Sequence, residues 1–140
     1  MVTRLDVRCV VSGKCSGQVI ATTQSISFWG VVDPHTGTIC DPRHELFGQS
    51  VSGKVLVFPE GKGSSTGSLI MLELVRRGKA PAAIVNVVTE PILATGPIVC
   101  KHFYKQEIPV VTIDRDGFAA LQTGQTVTVD SDKGWITIEK

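Results

Sequence analysis

The sequence predicts a mixed α/β fold, a sandwich or barrel with few helices rather than a plain doubly wound sheet. Three observations predict it. The short apolar runs 54–58 (KVLVF), 82–87 (AAIVNV) and 108–114 (IPVVTID) read as buried strands. One extended helical pattern lies between the first two, from Ser64 or Ser65 to about Arg77. The chain then closes with two alternating runs around Ser131-Asp132-Lys133-Gly134, the strongest hairpin signal in it.

Taken in order, residues 3–11 (TRLDVRCVV) partly alternate, are rich in Val, and predict a first strand. Gly13 and Gly17 interrupt the pattern, and 17–22 (GQVIAT) predicts a second strand. Residues 25–53 are irregular, with turn signals at Asp33-Pro34, Thr36-Gly37, Asp41-Pro42 and Gly48. So long a connection is expected to be functional or to contain a short strand. After the strand at 54–58, Leu69, Leu72, Leu74 and Val75 form the apolar stripe of the predicted helix, widened by Ile70 and Met71. Arg76 and Arg77 suit its last turn and Gly78 its end. Residues 89–103 allow one helical turn before a loop, and 116–122 predict a short helix that ends at Gly124.

A chain of 140 residues points to one domain over residues 1–140, and 42% hydrophobic content is enough for a real core. A net charge of +1 gives no broad electrostatic reason to expect nucleic acid or an anionic membrane as partner. Aromatic residues, at 6%, are too sparse for a base-stacking surface. No apolar run reaches bilayer length, and Asp6 with Arg4 and Arg8 breaks any signal-peptide pattern. A cytoplasmic protein is expected. Cys9, Cys15, Cys40 and Cys100 form no C-x-x-C pair, and His35, His44 and His102 complete no zinc spacing. The expectation is reduced, mostly buried thiols and no full metal-ligand set.

The chemistry-bearing stretch is 55-VLVFPEGKGSSTGS-68, a strand, a turn and a helix start. It fails as a phosphate loop of the G-x-x-x-x-G-K-[ST] type. Gly61-Lys62 is followed by Gly63, and Leu56 stands where the first glycine belongs. As a dinucleotide fingerprint, Gly61-x-Gly63-x-x-x-Gly67 has one residue too many. Three readings remain. The free N–H groups of the helix start, with Gly63 allowing close approach and Ser64, Ser65 and Thr66 adding hydroxyls, suit an anion. A serine there, with Lys62 nearby, could act as a general base. Or Ser64 or Ser65 simply caps the helix. On the loop chemistry alone the cap is favoured.

A resemblance shifts that balance. The ordered pattern V-D-P-x-T-G (32–37), H-x-L-x-G-x-S-V-x-G-K-V-L-V-F-P (44–59), G-K-G-S-S-x-G-S (61–68) and A-P-A-A-I (80–84), running on to 90-EPILATGPIV-99, resembles the small subunit of the aconitase X family over roughly residues 2 to 138. The resemblance implies a swivelling β/β/α domain similar to that of aconitase. It implies a partner, a larger catalytic subunit carrying an iron or iron–sulfur centre, with no cofactor bound by this chain. It implies a hydro-lyase that removes water from a hydroxy acid. Aconitase has a comparable G-x-G-S-S loop whose first serine is the base, which here is Ser64. Lys62, Gly63, Ser65 and Thr66 are then the substrate-binding set, although Thr66 stands where aconitase has a substrate-binding arginine. Two branches resemble this chain, cis-3-hydroxy-L-proline dehydratase and phosphomevalonate dehydratase. The longer segment 100-CKHFYKQEIPVVTID-114 and Glu45 in His44-Glu45-Leu46, in place of the usual proline, lean towards the first.

Other candidates are Asp33, His35 and His44, which could line a cleft from loops, and the loop at Glu90-Pro91 and Thr95-Gly96, which could face the larger subunit. Phe28 and Trp29 are core or interface residues, and Trp135 reads as packing.

Overall fold

The computed structural model describes residues 2–26, 28–60, 65–88, 97–99 and 107–139. The elements bounded within these residues follow in the order β1 (Val2–Asp6), β2 (Arg8–Val11), β3 (Lys14–Ala21), α1 (Phe28–Val31), β4 (Val55–Val57), α2 (Ser65–Arg76), β5 (Ala83–Asn86), β6 (Val110–Thr112), α3 (Arg115–Ala120), β7 (Thr126–Asp130) and β8 (Trp135–Glu139). The strands pair in the order β1-β8-β7-β3-β4-β5-β6-β2. Strands β3 to β6 are parallel to one another, while β1, β8, β7 and β3 are antiparallel, as are β6 and β2.

The single strand expected over 3–11 is two. Only Val7 separates β1 from β2, yet they lie at opposite ends of the strand order. The one-residue link therefore joins the two ends of the strand order, and Val7 N–H is held by Gly134 O at 2.9 Å. A bulge at Val10, between the pairs Cys9↔Val111 and Val11↔Val110, bends the strand at this corner.

Alternation along the parallel strands builds two cores. Leu56, Phe58, Ile84 and Val110 point to one side, where Met71 and Leu74 of α2 and Phe28 of α1 cover them. Val55, Val57, Ala83, Val85 and Val111 point to the other, against Val127, Val129, Ile136 and Ile138 of the antiparallel strands. Strands buried on both faces must be apolar throughout, which is why they read as unbroken apolar runs.

Helix α2 follows the predicted boundaries, but its stripe differs. Met71 and Leu74 are buried, while Leu69 is 63% exposed. At 100° per residue Leu69 lies about 200° from Met71, on the opposite face of the helix. The end is as expected. Gly78 takes φ 69°, its N–H bonds Val75 O at 3.0 Å, and Lys79 N–H bonds Leu74 O at 2.8 Å. That double closure needs a left-handed residue at Gly78.

The irregular segment has more structure than its sequence shows. It holds α1 and the isolated bridges Val32↔Ile39 and Thr38↔Ser50 rather than a strand. Ile26, Phe28, Val32, Ile39, Leu46 and Val51 anchor it in the first core. Phe28 is thus core, while the side chain of Trp29 lies outside the description. Most of the loop over 89–106, with Glu90-Pro91, Thr95-Gly96, Cys100 and His102, also lies outside the described residues. Residues 97–99 are helical.

Candidate functional site

The four parallel strands end together. The pairs Ala21↔Val57, Val57↔Val85 and Asn86↔Thr112 set their carboxyl ends side by side. In an open run of parallel strands the crevice beyond the carboxyl ends is where ligands bind. The exit of β4 is held from both sides. Thr22 N–H bonds Val57 O at 3.0 Å, and Phe58 N–H bonds Val85 O at 3.1 Å. Pro59 O accepts from Val87 N–H at 3.0 Å and Val88 N–H at 3.1 Å, and Glu60 bridges Val88.

Asn86 completes this clamp. Its side chain is fully buried, and Nδ2 donates to Phe58 O at 2.9 Å. Its own carbonyl accepts from Ile113 N–H at 2.8 Å. A buried amide that serves a strand's last carbonyls fixes the direction in which the chain leaves β4. Sequence reasoning gives no role to Asn86. The signal for it is a lone amide at the end of the apolar strand 83-AIVN-86.

Gly61, Lys62, Gly63 and Ser64 lie outside the described residues. Their setting is described on both sides, by Glu60 at the carboxyl edge of β4 and by Ser65, the first residue of α2. Ser64 is therefore the residue directly ahead of the helix. Ser65 and Thr66 begin it, and their side chains are outside the description. The first turn of α2 carries no acidic residue, so no carboxylate within it offsets the positive end of the dipole.

The other candidates have structural duties. Asp33 Oδ1 accepts from His35 N–H at 2.8 Å, and Asp33 O accepts from Gly37 N–H at 2.8 Å, so the pair forms a turn. His35 is exposed. His44 is buried, and its Nδ1 accepts from Leu46 N–H at 3.1 Å. The neutral ring then carries its proton on Nε2, which has no partner among the described residues. Trp135 lies between cations on the outer face of the hairpin, with the Arg4 guanidinium at 4.4 Å and the Lys133 ammonium at 5.7 Å.

The expectation of mostly buried thiols fails for Cys9 and Cys40, which are exposed. Cys9 lies on the solvent side of β2 and Cys40 in the turn-rich segment, where the chain runs over the surface. Cys15 is half-buried, and desolvation pushes its thiol up to about 11 against a lowering contact with the Val129 backbone. Among the described residues no group of three or more His, Cys, Asp or Glu side chains could hold a metal. No helix among them is long and apolar enough to cross a membrane.

A mixed sheet with α1 and α2 on one side and antiparallel strands on the other, and with a parallel strand leading into α2 from its carboxyl edge, defines a swivel-type α/β domain. The sequence pattern of the aconitase X swivel domain matches residues 4–138, and the chain belongs to that family. It is 43% identical over 134 residues to the phosphomevalonate dehydratase small subunit of Methanosarcina mazei, covering 95% of this chain and 89% of that one. With the protein of the same name from Thermococcus kodakarensis it shares 42% identity, covering 96% of each. The fold superposes on the crystal structure of Thermococcus kodakaraensis aconitase X in its holo-form with a TM-score of 0.87, at 41% identity and 99% coverage of both chains. The chain is thus a small subunit of an aconitase X-type dehydratase, a hydro-lyase.

Proposed function

We propose that residues 1–140 form one swivel domain that closes over a larger catalytic subunit, and that Ser64 is the general base of the dehydration. The observation that carries this reading is the β4–loop–α2 unit. It brings the segment 61–64 from a clamped strand exit to a helix start free of acidic residues. Loss of a proton from Ser64 would leave an alkoxide at the positive end of α2, with Lys62 as a nearby cation. Ser64 takes the proton α to the substrate carboxylate. The C–H electron pair becomes the new double bond, and the hydroxyl on the neighbouring carbon leaves with the C–O electron pair and takes up a proton from solvent to become water. Lys62, Gly63, Ser65 and Thr66 hold the substrate's anionic groups through the ammonium, the backbone amides and the hydroxyls. The Lewis acid for the leaving hydroxyl is assigned to an iron or iron–sulfur centre of the larger subunit, and this chain is assigned no metal.

The substrate we favour is phosphomevalonate, because relatives 38–43% identical over most of this chain carry that name. A substrate with both carboxylate and phosphate suits a loop with a cation and free amides. cis-3-Hydroxy-L-proline is the second reading, favoured by the longer 100–114 segment and by Glu45. The test is to produce the chain together with its larger subunit and follow dehydration of both compounds. Turnover of phosphomevalonate alone is the expected result. Turnover of hydroxyproline alone would reverse the order, and turnover of neither would overturn both substrates.

A further inference from the structure

The proposed reaction leaves unused a cavity of about 330 Å3 at the carboxyl end of β3. Thr22 and Thr23 line it from the strand end, Glu45 from the turn-rich segment, and Phe118, Leu121 and Gln122 from α3 and its C-terminal end. Among the described residues, Glu45 is the only charged side chain in this lining. Its carboxylate is held in place. Oε1 accepts from the Thr22 hydroxyl and from Thr23 N–H at 3.2 Å, and the backbone N–H of Glu45 donates to Gln24 Oε1 at 2.8 Å. Both side-chain contacts fall on Oε1, so Oε2 has no partner among the described residues. The residue remains exposed, as an open receptor requires.

A fixed carboxylate with one free oxygen, ringed by hydroxyls, a carboxamide and an aromatic side chain, is chemistry for an ammonium or guanidinium group. The cavity also lies beside the carboxyl end of β4. Thr22, its buried wall, donates its N–H to Val57 O, one residue before the β4 exit. A single exposed ion pair is too weak to retain a free amine, but it suffices to add to an interface that other contacts already hold.

We propose that this cavity receives a lysine or arginine side chain of the larger subunit, with Glu45 as its counter-ion. The inference rests on the reading that the chain assembles with such a subunit. On that basis Glu45 is a docking residue at the rim of the reaction site. It would set how the swivel domain seats over the site without touching the reacting atoms.

The experiment measures the dissociation constant of the two-subunit complex across a range of sodium chloride concentrations, for the native chain, Glu45→Gln and Glu45→Lys. Glutamine keeps an oxygen for Thr22 and Thr23 and removes only the charge. Glu45→Gln is expected to weaken assembly about two- to fivefold at low salt, with the difference vanishing at high salt. Glu45→Lys should weaken it further. Equal affinity for native and Glu45→Gln chains at every salt concentration would overturn the inference and leave the assembly reading standing. So would unchanged assembly with a raised KM, which would make the substrate the occupant. A native chain that does not bind the larger subunit would overturn both.

Discussion

The parallel and antiparallel parts of this sheet share β3 but follow different rules. Every residue of β4 and β5 is buried, whereas β7 and β8 mix buried with exposed and half-buried positions. On the solvent side of the antiparallel part, Ser16 and Thr128 bond each other at 2.9 Å, and Arg4 lies over Trp135. Helices α1 and α2 cover one face of β4 and β5 and the antiparallel strands lie over the other, so the side chains of those two strands are buried and not free for chemistry. In the proposed reading, what the parallel part offers a substrate comes from its strand ends, where loops leave a rigid edge. The antiparallel part builds the second core.

The contrast can be broken most strongly at the loop. In the assembled enzyme Ser64→Ala should lower turnover by about 10²–10⁴-fold, the usual contribution of a general base, with assembly unchanged. Near-normal turnover would reduce Ser64 to a helix cap. The next largest effect is on stability. Phe58 is fully buried at the end of β4, so Phe58→Ala should cost about 3–5 kcal/mol in denaturant unfolding. Thr137→Ala, on the half-buried outer side of β8, should stay within about 0.5 kcal/mol. Similar costs for the two would erase the distinction.

A third test concerns how closely α3 packs on the end of β6. A Cβ on Gly117 would lie 2.5 Å from Ile113 Cδ1 and 2.6 Å from its Cγ1. Gly117→Ala should destabilise by about 1–3 kcal/mol, and adding Ile113→Ala should relieve the overlap. Separate denaturation curves for the single and double variants measure that coupling. The smallest effect lies on the exposed side of α2. Hydrogen bonds from Arg76 and then Arg77 pull the Glu73 carboxyl from 4.5 down to about 2. The stabilisation is present above pH 4.5 and lost as pH falls towards 2. A Glu73→Gln chain should show a flatter stability curve in that window, and salt should shrink the difference because the pairs face solvent.

Much of this was legible in the chain. The runs at 54–58, 82–87 and 108–114, the helix from Ser65, its Gly78 stop and the terminal hairpin all stand close to where their sequences predict. Each is set by a local pattern, through apolar alternation, helical periodicity or turn chemistry. Leu69 misled because an apolar residue alone does not reveal which helix face meets the sheet. Helix α1 was hidden because four residues are too few to show a period. The candidate loop was legible as a motif, Gly61 to Ser65, but the contacts that flank it were not. Asn86 reaches Phe58 across 28 positions of sequence, and Glu45 reaches Thr22 across 23.

The sequence by itself determined most of the elements, which depend on neighbours within one or two turns of chain, and the family, which an ordered series of motifs carries. Only the tertiary structure decided that Val7 divides one strand between the two ends of the sheet. It also decided that Asn86 clamps the exit of β4 and that Glu45 lines a cavity. Those outcomes depend on pairings between distant segments, whose register is set by burial on both faces of the sheet rather than by any local preference.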